Sequence, residues 1–330
     1  MEGEKILKEV KARGSYYLQV LSNMHKTRCN EIRLSSVEKL GLRPCPVPPI
    51  SSIPKKISVT SFSRLLKDPY EIYARDILKL RRIDQIYIPF DARMKGIFLH
   101  EQMQLFITKT INKMPEKASA VSYFLDLFSN KVSKIQINER AEIRLTEEMK
   151  NKAIDIIEAE IKRRKTSSPI SIEKMGQKKF SLTSGLEIEL VAKADRIDLS
   201  NENKVIILDY KSSVPRKTDF DLNMPQLDLE ALIAKYGGFQ ALPERTISEV
   251  GLIILGSKVD EFRREVNSLY LEGVEKNFIK IIEKIYSGEW GYSSKISGTS
   301  AYEGDYDHLA RYGEWSISDE PMKQNLKERE

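Results

Sequence analysis

Cysteine is nearly missing from this sequence. Cys29 and Cys45 are the only two in 330 residues. Two thiols cannot build a four-thiolate metal or iron–sulfur site. They also argue against a disulfide framework, so a reducing, cytoplasmic setting is expected. Long apolar runs are lacking too. None approaches the roughly 20 residues that span a bilayer, so no membrane partner is expected. The start, Met1-Glu2-Gly3-Glu4-Lys5, has none of the apolar stretch of a secretory signal. No Gly-x-x-x-x-Gly-Lys-[Ser/Thr] phosphate loop occurs, which excludes ATPase chemistry by that motif. No internal repeat is found.

What remains is the composition of a globular protein. Hydrophobic residues make up 41% and charged residues 31%, against wholesale disorder. The net charge is +6 and the pI about 9.0. A mild basic excess suits a polyanionic partner, yet many proteins without one share it.

The chain divides by texture. Residues 4–30 read as helical pieces with a thin apolar stripe, so 1–42 is expected to be a helical remnant of a larger N-terminal region. Arg43-Pro44-Cys45-Pro46-Val47-Pro48-Pro49 then interrupts. Proline fixes φ and removes a donor, so 43–56 is expected to be an extended linker. Asp68-Pro69-Tyr70-Glu71 gives a helix start with an N-cap candidate and proline at the first helical position. Helical patterns follow over 96–111, 121–128 and 141–161, and 162–168 reads as a solvated loop. Leu186 to Leu190 alternates with period two, a strand signature. Ser200-Asn201-Glu202-Asn203 is a turn cluster. Val205 to Leu208 is a short apolar run suited to a strand buried on both faces. A helix from Pro225 to Tyr236, closed by Gly237-Gly238, a strand over 250–255 and a helix over 271–287 complete the pattern. The polar tail, 316–330, is expected to be disordered.

The hairpin of 186–211 carries the chemistry. Asp209 and Lys211 are two apart on a strand and share a face. Folding back around the turn sets Asp195 opposite or diagonal to Asp209, with Cβ atoms about 4.5–5.5 Å apart. Two carboxylates that close repel, and each resists desolvation. A divalent cation resolves both problems, since Mg2+ takes hard oxygen ligands from one or two carboxylates. Lys211 could hold or deprotonate a water, or stabilise charge as a fixed cation. Asp209-Tyr210-Lys211 alone reads more readily as a strand end with a surface ion pair; Asp195-Arg196 at hairpin spacing beside a buried apolar strand shifts the reading towards a site.

Asp195-Arg196-Ile197-Asp198, then Ile207-Leu208-Asp209-Tyr210-Lys211-Ser212, then Pro225-Gln226-Leu227 resemble the nuclease motifs of the RecB/AddB branch of the PD-(D/E)XK superfamily. The resemblance implies that Asp195 and Asp209 bind metal, that Lys211 completes the catalytic set and that the Tyr210 backbone carbonyl is a further ligand. Gly96-Ile97-Phe98-Leu99-His100-Glu101 matches the family's upstream histidine, implying His100 as a ligand with Glu101 beside it. Gln226 matches the family's glutamine, placed to orient a ligand or contact a phosphate, or merely to start a helix. Ile57-Ser58-Val59-Thr60, the stretch from Lys67 to Arg75, and Tyr306-Asp307-His308-Leu309-Ala310-Arg311 are similar to the C-terminal nuclease region of alphaproteobacterial-type AddB, over about 43–315.

The resemblance implies a restriction-endonuclease-like α/β core over 57–315: a central mixed sheet flanked by helices, with a helical insertion before it. It implies an Mg2+-dependent (Mn2+ possible) deoxyribonuclease acting on single-stranded DNA ends beside an AddA-type helicase subunit. Asp68 stands where many relatives carry a cluster cysteine, so no iron–sulfur cluster is expected. Lys193, Arg196, Arg216 and Lys217 are candidates for tracking a DNA backbone, or ordinary solvated cations. Two rival readings stay open: a non-catalytic DNA-binding or scaffold subunit, and a free-standing nuclease.

Overall fold

The computed structural model describes residues 41–83, 92–133, 139–212, 225–240, 242, 244–256, 258–296 and 304–327. The expected helical remnant of 1–42 lies almost wholly outside them, as do Arg216 and Lys217. Residues 43–330 form one compact unit.

The segment expected to be a tether is instead strand β1, Pro44–Val47. It pairs in parallel with a strand near the C-terminus, Met322–Asn325. Proline removes a donor but keeps its carbonyl. The Pro44 and Pro46 carbonyls accept from Ser294 N at 3.2 Å and Tyr292 N at 2.8 Å, and those of Arg43 and Val47 accept from Met322 N and Leu326 N, each at 2.9 Å. The buried Arg43 guanidinium donates to Ile317 O at 2.7 Å. The part of the polar tail that is described is therefore structured, by backbone pairing its side chains do not announce.

β2, Lys56–Ser58, leads into α1, Val59–Leu65, capped by Ser58, whose hydroxyl accepts from Ser61 N. α2, Pro69–Ile72, runs into a π turn over Tyr73–Ile77. Asp68 precedes α2 but makes no side-chain cap bond. Its carboxylate accepts from Lys295 N at 3.1 Å. Three longer helices follow: α3, Ala92–Thr110, α4, Lys117–Val132, and α5, Glu139–Arg163. Then come β3, Ser167–Ser181, β4, Glu187–Ser200, and β5, Val205–Lys211. α6, Pro225–Lys235, β6, Ile247–Leu255, β7, Val259–Glu265, α7, Ser268–Tyr286, and β8, Met322–Asn325, complete the unit.

The main sheet runs β2-β4-β5-β6-β7, with β3 on the free side of β4. It is mixed: β5 is parallel to β6 and antiparallel to β4. Alternation along β5 splits the core between its faces. Val205 and Ile207 join a cluster with residues of α1, α6 and α7. Ile206, Leu208 and Tyr210 join a second cluster with residues of α3, α4 and α5. The sheet is thus covered on both sides, as expected.

The chain after α6 crosses back at Gly237, whose φ is +62, and Gly238 closes on β3. A Cβ on Gly238 would sit 2.4 Å from the Gln177 carbonyl oxygen. Backbone cannot yield as a side-chain tip can. Gly238→Ala is therefore expected to cost about 1–3 kcal/mol, read by urea denaturation.

Candidate active site

β5 ends where its neighbours diverge, and that builds the site. β4 pairs with β2 over Glu189–Val191 and with β5 from Arg196 onward. Asp195 lies in the fork between the two partners. The ladder stops at Arg196↔Leu208, and its continuation sets Asp195 across from Asp209. Tyr210 N, left without a β4 carbonyl, donates instead to Asp195 Oδ2 at 3.1 Å. The side chain of Asp195 thus replaces a ladder acceptor.

Five of the expected side chains meet here. His100, on α3, has Nε2 2.8 Å from Asp195 Oδ2. Its ring stands edge-on to Tyr210, with centroids 5.7 Å apart. The Asp195 and Asp209 carboxyls lie close enough for each to perturb the other. Lys211 Nζ lies 2.6 Å from Asp209 Oδ2. Gln226, on the first turn of α6, donates to Asp209 Oδ1 at 3.4 Å. His100, Asp195 and Lys211 line an open cleft of ≈ 580 Å3.

The charges perturb one another. The hydrogen bond to Asp195 lifts the His100 pKa against the effect of burial. Burial would raise Asp195, but the His100 hydrogen bond and charge outweigh it and hold the carboxyl below its usual range. Burial first, and then repulsion from Asp195 offset by Lys211, push Asp209 up to about 6. Neighbouring carboxyls driven apart in this way are characteristic of functional sites.

Sequence reasoning missed Glu173. It sits on β3, in register opposite Asp195, between the pairs Ile172↔Arg196 and Lys174↔Ala194. Its φ is +55, an uncommon conformation for a residue with a side chain. Glu173 Oε1 lies 3.6 Å from His100 Nδ1, and Lys193 pairs with its other oxygen. His100, Glu173 and Asp195 each offer a donor atom within 4.8 Å of the others. One imidazole nitrogen with carboxylate oxygens fits a divalent cation such as Mg2+ or Mn2+. The open cleft leaves room for water and substrate oxygens.

Other expected residues stand elsewhere. Glu101, next to His100, borders the cleft but pairs with Lys131. Lys193 is exposed and occupied by Glu173. Arg196 is a correction: its side chain is wholly buried, so it cannot touch a DNA backbone. It forks onto Asp198, Nε to Oδ1 at 2.6 Å, and onto Glu160 of α5, Nη1 to Oε2 at 2.7 Å. It also donates to the Tyr210 hydroxyl at 3.2 Å. Its place on the sheet face covered by α5 dictates this, since a guanidinium there must be paired.

Residues 56–295 match the family model described as the PD-(D/E)XK nuclease superfamily. The chain belongs to this superfamily. Among curated proteins it is 29% identical over 210 residues to an uncharacterized protein of Rickettsia felis, covering 61% of this chain and 24% of that one. It is 28% identical over 196 residues to an uncharacterized protein of Rickettsia conorii, covering 57% and 23%. The matched part spans about a quarter of the length of these relatives. Among solved structures, a provisionally named exonuclease from Eubacterium rectale is 14% identical, over 81% of this chain and 91% of that one, with a TM-score of 0.39. That score is too low for the likeness to bear on the site. The mixed sheet with helices on both faces is the restriction-endonuclease-like core of PD-(D/E)XK nucleases. Among the described residues, no helix is long and apolar enough to cross a membrane.

Proposed function

We propose that this chain is a metal-dependent DNA nuclease whose reaction centre is the β4–β5 fork. The observation that carries the reading is the convergence of His100, Asp195 and Lys211 on one cleft, with Asp209 buried beside Lys211. Asp195 and Asp209 with His100 would hold the cation, with Glu173 and the Tyr210 carbonyl as further oxygen donors. Bound there, a dication would supply charge neutralisation at the scissile phosphate and a more acidic water. Lys211 stands beside Asp209 as a fixed ammonium. It orients the attacking water and offsets charge that grows on the phosphate oxygens in the transition state. Mg2+ is the natural ion for an oxygen-rich set, and the imidazole nitrogen makes Mn2+ an effective substitute.

The wider role follows the resemblance to AddB. The chain serves as the nuclease module of an AddAB-type helicase–nuclease in double-strand break repair and recombination. It degrades single-stranded ends delivered by an AddA-type helicase subunit. Exposed Lys193, at the cleft rim, is the remaining described candidate for meeting the DNA backbone.

The test is direct. End-labelled single-stranded DNA should be degraded in Mg2+ or Mn2+, protected by a chelator, and degraded again when the ion is restored. Intact DNA in both ions would contradict the nuclease reading and favour a scaffold. Degradation that persists in chelator would contradict the metal dependence.

A further inference from the structure

Glu230, on α6, is 1% exposed. Its Oε1 accepts from Gln226 Nε2 at 3.1 Å, and its Oε2 has no hydrogen-bond partner among the described residues. A buried carboxyl oxygen without a partner is destabilising. Leu229, Ala231, Leu232 and Ile233 of the same helix are buried apolar residues, so none of them can partner the free oxygen. Packing therefore gives no reason for an acid at 230.

Gln226 supplies one. It lies one helical turn earlier, on the same face as Glu230. Its amide nitrogen donates to Glu230 Oε1 at 3.1 Å and to Asp209 Oδ1 at 3.4 Å. Both amide protons are thus committed to carboxyl oxygens. Flipping the amide would turn its oxygen towards both of them, so the pair of acceptors fixes which way it faces. Without an acceptor at 230, Gln226 is free to turn and Asp209 loses a fixed donor. We infer that Glu230 is a positioning residue, which sets the Asp209 carboxylate for cation binding by locking the Gln226 amide. The inference rests on the metal-centre reading above. Outer groups of this kind orient the atoms that touch the ion.

Calorimetric titration of Mn2+ into the full chain tests it, with metal-free melting temperatures recorded alongside. Glu230→Met is expected to weaken Mn2+ binding by about 10-fold or more while raising the metal-free melting temperature. Glu230→Gln keeps an acceptor oxygen and should restore binding most of the way to wild type. Equal binding by wild type and Glu230→Met would overturn the inference alone. So would Glu230→Gln binding as weakly as Glu230→Met, or a Glu230→Met variant that loses melting temperature along with affinity, which marks a merely structural role. A wild type that binds no Mn2+ would overturn the metal-centre reading and this inference with it.

Discussion

Asp209→Asn is expected to slow DNA cleavage by about a thousandfold, the scale of losing a major electrostatic stabiliser of the transition state, while the metal-free fold stays at least as stable. Both halves follow from one arrangement. Asp209 is buried, and burial with repulsion from Asp195 pushes its pKa up to about 6. An amide of the same shape removes that repulsion but coordinates a cation poorly. Lys211 pairs with Asp209, so the variant also loosens the ammonium. Initial cleavage rates at saturating Mg2+ and a metal-free thermal melt check the two halves. A normal rate would remove Asp209 from the chemistry. A large drop in melting temperature would make it a structural residue.

The second large effect concerns stability. Arg196→Met is expected to cost about 3–5 kcal/mol, because it strands buried carboxylates without their partner. Glu160 and Asp198 both lean on that guanidinium. Glu160 also accepts from Arg163 at 2.5 Å and Arg164 at 2.6 Å, so α5, β4 and the Tyr210 hydroxyl of β5 are joined through one charged knot. The knot gives the protein an acid limit. Burial would raise the Glu160 carboxyl, but Arg196 and Arg163 outweigh it and hold it well below the usual value of 4.5. A depressed folded value means the contribution is complete above the unfolded value and lost as pH falls through the folded one. Urea titrations from pH 6 downward should show wild-type stability falling, and a shallower fall in Arg196→Met. Equal stability of the two proteins would contradict the knot. A variant that folds normally but shows a reduced salt slope in DNA binding would restore Arg196 as a phosphate contact.

How legible this was varied with burial. The apolar run of β5, the Asn203 turn, where φ is +64, and the Gly237 helix stop each follow from local residue chemistry. The first two set Asp195 near Asp209 without a structure. β3 and β7 escaped because they are edge strands. Sequences such as Ser171-Ile172-Glu173-Lys174 and Val259-Asp260-Glu261-Phe262 carry the charged side chains that an edge tolerates, and these blur the apolar pattern. Missing β3 meant missing Glu173, whose place opposite Asp195 exists only through cross-strand register. Arg196 misled for a related reason. An arginine in a basic chain reads as surface charge, and only the docking of α5 reveals buried partners for it. The proline run misled because proline's lost donor masks its retained acceptor.

The central claim is that acids gathered at the β4–β5 fork exist to hold a cation. A crystal of the full chain soaked in Mn2+ tests it most directly, through anomalous scattering. The account predicts an ion contacting Asp195 and Asp209, with His100 and Glu173 in its immediate surroundings. A clear map of the fork with no ion there, or an ion bound only elsewhere, would contradict it.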